Sequence, residues 1–481
     1  MVKAKMSAGM LNVFLAVVIS SVSQAQNNSW ANNGGGNWQD AANWSAGLAP
    51  TNTYSDIVIS NGVSKTVMVS SNTASGFTST MIISNLTVSA PGGVTNTLVL
   101  NTAGSLTPLE IINGIGLASG GRMVVDNASL WIDSSVSGGF LIAGTVIIQN
   151  GGEIAAACQQ MTVNNGTLLG NILNVGLDVG SQGTLTMAGG TITLASLLDI
   201  GVSTAATGTV WLTGGQIWVT NGAINVGDSG MGWLTISNGT CRATEVGVGT
   251  GSGSQGTLVM AGGLLSVVSN MVASNATCSS QSTIAMSGGT LVVTNATSMA
   301  VLEERNGTFT LSGGRLVVDQ LVITNACARF IRTGGTMIVG NLVLDPNLSA
   351  AGDGIPNGWK QRYGLDPFDP NLANEDADGD GVSNLQEYLG GTDPTNPNST
   401  PFRITSITQQ GYDVLITWTA VGGKTNVMQA STVASGNYSN KFADVGPIII
   451  PNGTGLTSTN YLDVGAATNA AARFYRVRLV P

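Results

Sequence analysis

The chain has 481 residues, of which 66 are Gly and 9% are charged, with a formal charge of −9 and a pI near 4.5. That length exceeds one compact core, and a mean hydropathy of +0.25 with 43% hydrophobic residues excludes a disordered chain. No Lys or Arg cluster suggests a nucleic-acid partner, and the complete lack of histidine removes the commonest acid–base side chain and metal ligand.

Residues 1–25 read as a secretory signal. Lys3 and Lys5 give the positive start, Met10 to Ile19 the apolar stretch, and Ser23-Gln24-Ala25 the small-residue cleavage site. The mature chain is therefore expected to begin near Gln26, outside the cytoplasm. No later segment is long and apolar enough to span a bilayer as a helix.

From about Thr51 the chain is a series of short apolar runs between Gly, Asn and Ser clusters, an all-β pattern. Weak copies of a repeat occupy Gly144 to Ile154 and Asn165 to Leu168. Clear copies start at Gly183, Gly208, Gly232, Gly256, Ser282 and Gly307, with a weaker one at Ala328. Each centres on a turn whose last glycine stands at 190, 215, 239, 263, 289, 314 and 335, so the steps are 25, 24, 24, 26, 25 and 21 residues. Before the turn, one apolar column runs Leu185, Val210, Leu234, Leu258, Ile284, Phe309, Phe330. After it, another runs Ile192, Ile217, Cys241, Leu265, Leu291, Leu316, Met337. Mixed residues such as Thr186, Trp211 and Thr310 alternate with them, the period of a strand with one buried face.

A third apolar segment, as in Leu198 to Gly201 or Ile224 to Gly227, completes a coil of about 24 residues and three strands. Stacked at the strand-pairing distance, seven coils make a rod of roughly 34 Å. Arg332 enters an otherwise apolar column, as expected of a coil beside a cap. Of the four cysteines, Cys158, Cys241, Cys278 and Cys327, the inward column of Cys241 favours buried small residues over disulfides. Asp178 and Asp199 are expected at equivalent strand positions in an exposed ladder with Asn225, and Glu303-Glu304-Arg305 in a turn.

These repeats, with Asn37 to Trp44 followed by Gly47 and Pro50, resemble the strand repeats of autotransporter and PEP-CTERM-associated secreted bacterial proteins. The resemblance covers roughly residues 30 to 345 and implies a right-handed parallel β-solenoid, with its N-terminal cap, over 26–345. No Pro-Glu-Pro anchor or membrane barrel follows in this sequence.

Composition changes after Asp345, where Asp and Pro become frequent. Asp376, Asp378, Asp380, Gly381, Val382, Asn384 and Glu387 match a twelve-residue EF-hand-type loop. Calcium takes six to eight oxygens. The alternate acids aim at one point, Gly381 allows the turn, Val382 offers a carbonyl, Asn384 an amide oxygen and Glu387 two closing oxygens. The flanks, Gly354 to Trp359, Tyr363 to Pro367 and Glu387 to Pro394, resemble thrombospondin type 3-like repeats. This implies a calcium-rigidified linker over 346–400. An earlier loop has Ser349, Ala351 and Lys360 where acids would stand and retains only Asp353, so little or no calcium is expected there. Residues 401–481 alternate through Val414 to Trp418, Asn426 to Ala430, Pro447 to Ile450 and Arg473 to Leu479. They resemble a fibronectin type III-like sandwich.

The expected function is that of a secreted or cell-surface structural or adhesive protein without catalysis. The alternative is a polysaccharide-binding or polysaccharide-cleaving β-helix protein. Cleavage needs clustered carboxylates, or Asp with Lys and Arg, and Val246 to Leu302 carries no charge at all. Trp211 and Trp218, in outward columns of one coil, with Trp233 nearby in the next, are the candidate contacts for a surface glycan or matrix partner.

Overall fold

The computed structural model describes residues 27–50, 56–75, 81–101, 109–132, 139–150, 153–156, 160–275, 277–433, 441–453, 455–468 and 472–480. Residues 1–25, expected from the sequence to be a secretory signal, and Cys158 lie outside the described residues. The chain forms a parallel β-solenoid of about 11 turns, followed by two small antiparallel sheets.

Each clear coil begins with a strand on one face: Gln182–Met187, Thr207–Leu212, Met231–Ile236, Gln255–Met260, Gln281–Met286, Gly307–Leu311 and Ala328–Arg332. Their register places Leu185, Val210, Leu234, Leu258, Ile284, Phe309 and Phe330 in one pairing column. All seven are buried, and the Phe309 and Phe330 rings stack with centroids 4.6 Å apart. The post-turn column from Ile192 to Leu316 is likewise paired and buried, with Cys241 among them as a free thiol. The expected two-faced strands are those of the structure.

The corner glycine explains why the repeat is legible. Gly263 has φ +66°, and a Cβ there would stand 2.7 Å from the carbonyl oxygen of Gly239 in the preceding coil. Left-handed backbone and close stacking together leave glycine alone suited to the position.

Both ends of the stack are covered. At the first, Trp30, Trp38 and Trp44 pack edge-on with centroids 5.0 and 4.8 Å apart. Their indole N–H groups donate to the carbonyls of Gly34, Pro50 and Trp38, so three large rings are buried without an unpaired donor. At the other end, Phe330 N–H donates to Ala350 O, Arg332 N–H to Phe368 O, and the Arg332 guanidinium lies 3.2 Å from Asp366. Phe368 packs on Phe330. The segment expected as a linker thus also lids the last coil, and Arg332 stands at that lid.

Four sequence expectations are corrected. Cys278 and Cys327 form a disulfide, with Cα atoms 6.2 Å apart. It joins the loops leading into Gln281–Met286 and Ala328–Arg332, spanning the coil of Gly307–Leu311 between them. Their separation of 49 residues is two coil lengths, which was the available signal.

Asp178 is not equivalent to Asp199: the ladder partners of Asp199 are Asn174 and Asn225. Asp199 is also 6% exposed, not an open rung. Third, Val301–Glu304 is a strand rather than a turn, pairing with Asn270–Ala273. Glu304 falls beside Ala273 on the inward side, fully buried, and takes a hydrogen bond from Ser282 Oγ at 3.1 Å. Burial drives its carboxyl well above the usual range. Fourth, Pro447 to Ile450 is no strand and contributes a single bridge from Ile449 to Asn426.

Asp199 yields a prediction. Burial, reinforced by the charge of Asp228, pushes its carboxyl up to about 7 from 3.8. A folded pKa above the unfolded one means that the stability this carboxyl contributes is fullest below pH 4 and is lost as pH rises through 7. A shift of this size corresponds to roughly 4 kcal/mol. Asp199→Asn should therefore match the parent at pH 4 and melt increasingly above it towards pH 8. A melting difference that does not change with pH would contradict the burial of this carboxyl.

Candidate functional site

After the lid of the rod, a loop leads into the helix Asn384–Gly390, which starts with a capping box between Ser383 and Gln386. Gly379 and Gly381, at φ +77° and +91°, wind the loop so that carboxylate oxygens of Asp376, Asp378 and Asp380 lie within 4.8 Å of one another. Asp376 accepts N–H bonds from Gly379, Asp380 and Gly381 at 2.8, 3.2 and 2.7 Å. These bonds, that from Gly381 foremost, hold its carboxyl below the ordinary range. Asp380 accepts from Val382 N–H at 2.9 Å and from the Thr400 hydroxyl at 3.0 Å.

The helix adds two buried oxygen donors. Glu387 is fully buried, and neither of its carboxylate oxygens has a hydrogen-bond partner. Burial, then the charges of Asp378 and Asp380, push its carboxyl up to about 7. Asn384 donates through Nδ2 to Leu372 O at 2.8 Å, which leaves its buried Oδ1 unpartnered. One oxygen of Asp378 is also buried and unpartnered. Unmatched buried carboxylates are costly. An all-oxygen donor set of this kind suits a hard divalent cation.

The earlier loop supplies an internal comparison, offset by 27 residues from Ser349 to Asp376. Asn357 N–H donates to Leu348 O as Asn384 N–H does to Glu375 O, both at 2.7 Å. Asn357 Nδ2 reaches Asp345 O as Asn384 Nδ2 reaches Leu372 O. Ile355 N–H bonds Asp353 as Val382 N–H bonds Asp380. The chemistry differs where Glu387 has Lys360 as its counterpart. The Lys360 ammonium is fully buried, 2.7 Å from Asp353 Oδ1, with the Pro367 carbonyl at 3.4 Å. A tethered cation sits in the first loop, while the second holds the same backbone around uncompensated acids. The sequence shows Lys360 out of pattern; its reach to Asp353 is visible only in the fold.

The tryptophans divide. Trp211 and Trp218 are 44% and 41% exposed, but they lie on different sheets, on either side of the Gly214–Gly215 corner. Trp233 shares the sheet of Trp211, its backbone paired beside Thr209, and is partly buried. They form no single aromatic platform. Comparison with protein families, with curated proteins and with solved structures returned no match to this chain.

Proposed function

We propose that this is an exported structural or adhesive surface protein, of the kind its repeats resemble, in which calcium fixes the junction between the rod and the terminal sandwich. The observation that carries the reading is the stack of coils, paired strand to strand among the described residues and covered at both ends, whose outer columns are mainly hydroxyl-bearing and aliphatic. Coils that bury their apolar faces only against neighbours make an extended, self-supporting scaffold. The Cys278–Cys327 disulfide supports export, since such bonds persist in oxidising compartments. Calcium is the ion assigned to Asp376, Asp378, Asp380, Asn384 and Glu387, with the Val382 carbonyl completing the set.

A second reading, polysaccharide cleavage, draws on Asp199, whose carboxyl sits near 7 beside Asp228. A catalytic acid must come within hydrogen-bond reach of the scissile oxygen. Asp199 Oδ1 is sealed from solvent, which favours the structural reading. Two measurements test the proposal. Tagged protein should fractionate with the medium or cell envelope, and purified protein should release neither reducing ends nor unsaturated sugars from common polysaccharides between pH 5 and 8. Retention in the cytoplasm, or reproducible turnover, would overturn it.

A further inference from the structure

Where the second and third strands of successive coils meet, the outer surface of the rod is hollowed into a concavity of about 340 Å³. Its wall includes Trp218, Thr220, Arg242, Thr244 and Ser266. The ladder sets Trp218 beside Arg242, and Arg242 beside Ser266, one coil apart each time. Neighbouring strands stand about 4.8 Å apart, so the indole and the guanidinium are adjacent steps along the groove.

Arg242 is chemically conspicuous. It is the sole basic residue between Arg122 and Arg305, in a chain of net charge −9. It is exposed, and none of the ion pairs among the described residues includes it. Glu245, the nearest acid in sequence, begins the next strand and does not line the hollow. An exposed indole offers a face to an apolar ring surface, an unpaired guanidinium offers a fork to a carboxylate, and threonine and serine hydroxyls flank both.

We propose that this groove binds a carboxylated polysaccharide laid along the rod, with a sugar ring on Trp218 and the uronate carboxylate of that or the next sugar on Arg242. The proposal rests on the adhesive reading above and supplies its ligand class. A neutral glycan would leave the guanidinium unused, and a simple acidic peptide would leave the indole face without a ring.

The test uses the full-length protein and three probes: oligogalacturonate, a neutral glucan oligomer of equal length, and polyglutamate. Calorimetry or affinity electrophoresis should show oligogalacturonate binding best and weakening with salt. Arg242→Gln should reduce that binding about tenfold or more and spare any residual neutral-glucan binding, whereas Arg242→Lys should recover part of it. Trp218→Ala should weaken both glycans. Unchanged melting of these surface variants would confirm that folding is intact. Equal binding of polyglutamate, an Arg242→Gln protein that binds as its parent does, or no oligogalacturonate binding at all would overturn the groove assignment. If the protein is nonetheless found outside the cytoplasm without turnover, only the groove fails; cytoplasmic retention would sink the adhesive reading whatever the binding result.

Discussion

Ile284→Asp should cripple the rod, while Thr310→Asp should leave it nearly unchanged. Ile284 is fully buried between Leu258 and Phe309 in the inward column that precedes the turn. Its replacement puts a carboxylate among stacked hydrocarbon with no cation within the column to meet it. An unpaired buried charge costs several kcal/mol, enough to open the affected coils. Stability in such a stack is set by contacts between nearest neighbours, so the break should be local first. Protease sites should appear between residues 250 and 330 before the N-terminal coils are attacked. Thr310 lies in the adjacent outward column, partly exposed between Ala285 and Ile331. An added carboxylate there keeps its water. Equal melting temperatures for the two variants would show that inward and outward columns have been exchanged.

The repeat could be read from sequence because its constraints act on backbone. Only glycine satisfies the corner at 263, and a period-two alternation has one physical meaning in a stacked strand. What escaped the reading depends on side chains from different coils meeting. The Cys278–Cys327 bond needs the loops of two coils to converge over a third. Glu304 looks like a surface acid in Glu303-Glu304-Arg305, yet strand alternation turns it inward while Glu303 pairs with Arg305 at 2.6 Å. In the sandwich, Pro447 has no N–H to give a ladder, and of the run to Ile450 only Ile449 exchanges bonds, with Asn426. For the candidate metal loop, spacing alone identified the acids. The fold added that Glu387 and Asn384 present buried oxygens without partners.

One calcium ion should bind at Asp376 to Glu387, none at Ser349 to Lys360, and the junction between rod and sandwich should depend on it. In the first loop the Lys360 ammonium already neutralises Asp353, so the lid on the last coil holds without added cation. In the second, three acids crowd one point and Glu387 is buried behind them. The same loop carries the mechanical connection, because the Thr400 hydroxyl bonds Asp380 and Pro401 packs against Gly390. With EDTA the repelling carboxylates should loosen this stretch, and proteases should cut between residues 375 and 402 while the rod stays whole. Calcium should restore protection with a Kd of about 10⁻⁴ to 10⁻³ M, usual for extracellular modules. Asp378→Ala with Glu387→Ala removes two of the acids that would hold the ion. That protein should be cut at the same place whether or not calcium is present, and its solenoid should melt as the parent's does. Calorimetry showing undiminished calcium uptake by the double variant would place the site elsewhere, the acids around Asp353 and Asp366 being the next to examine.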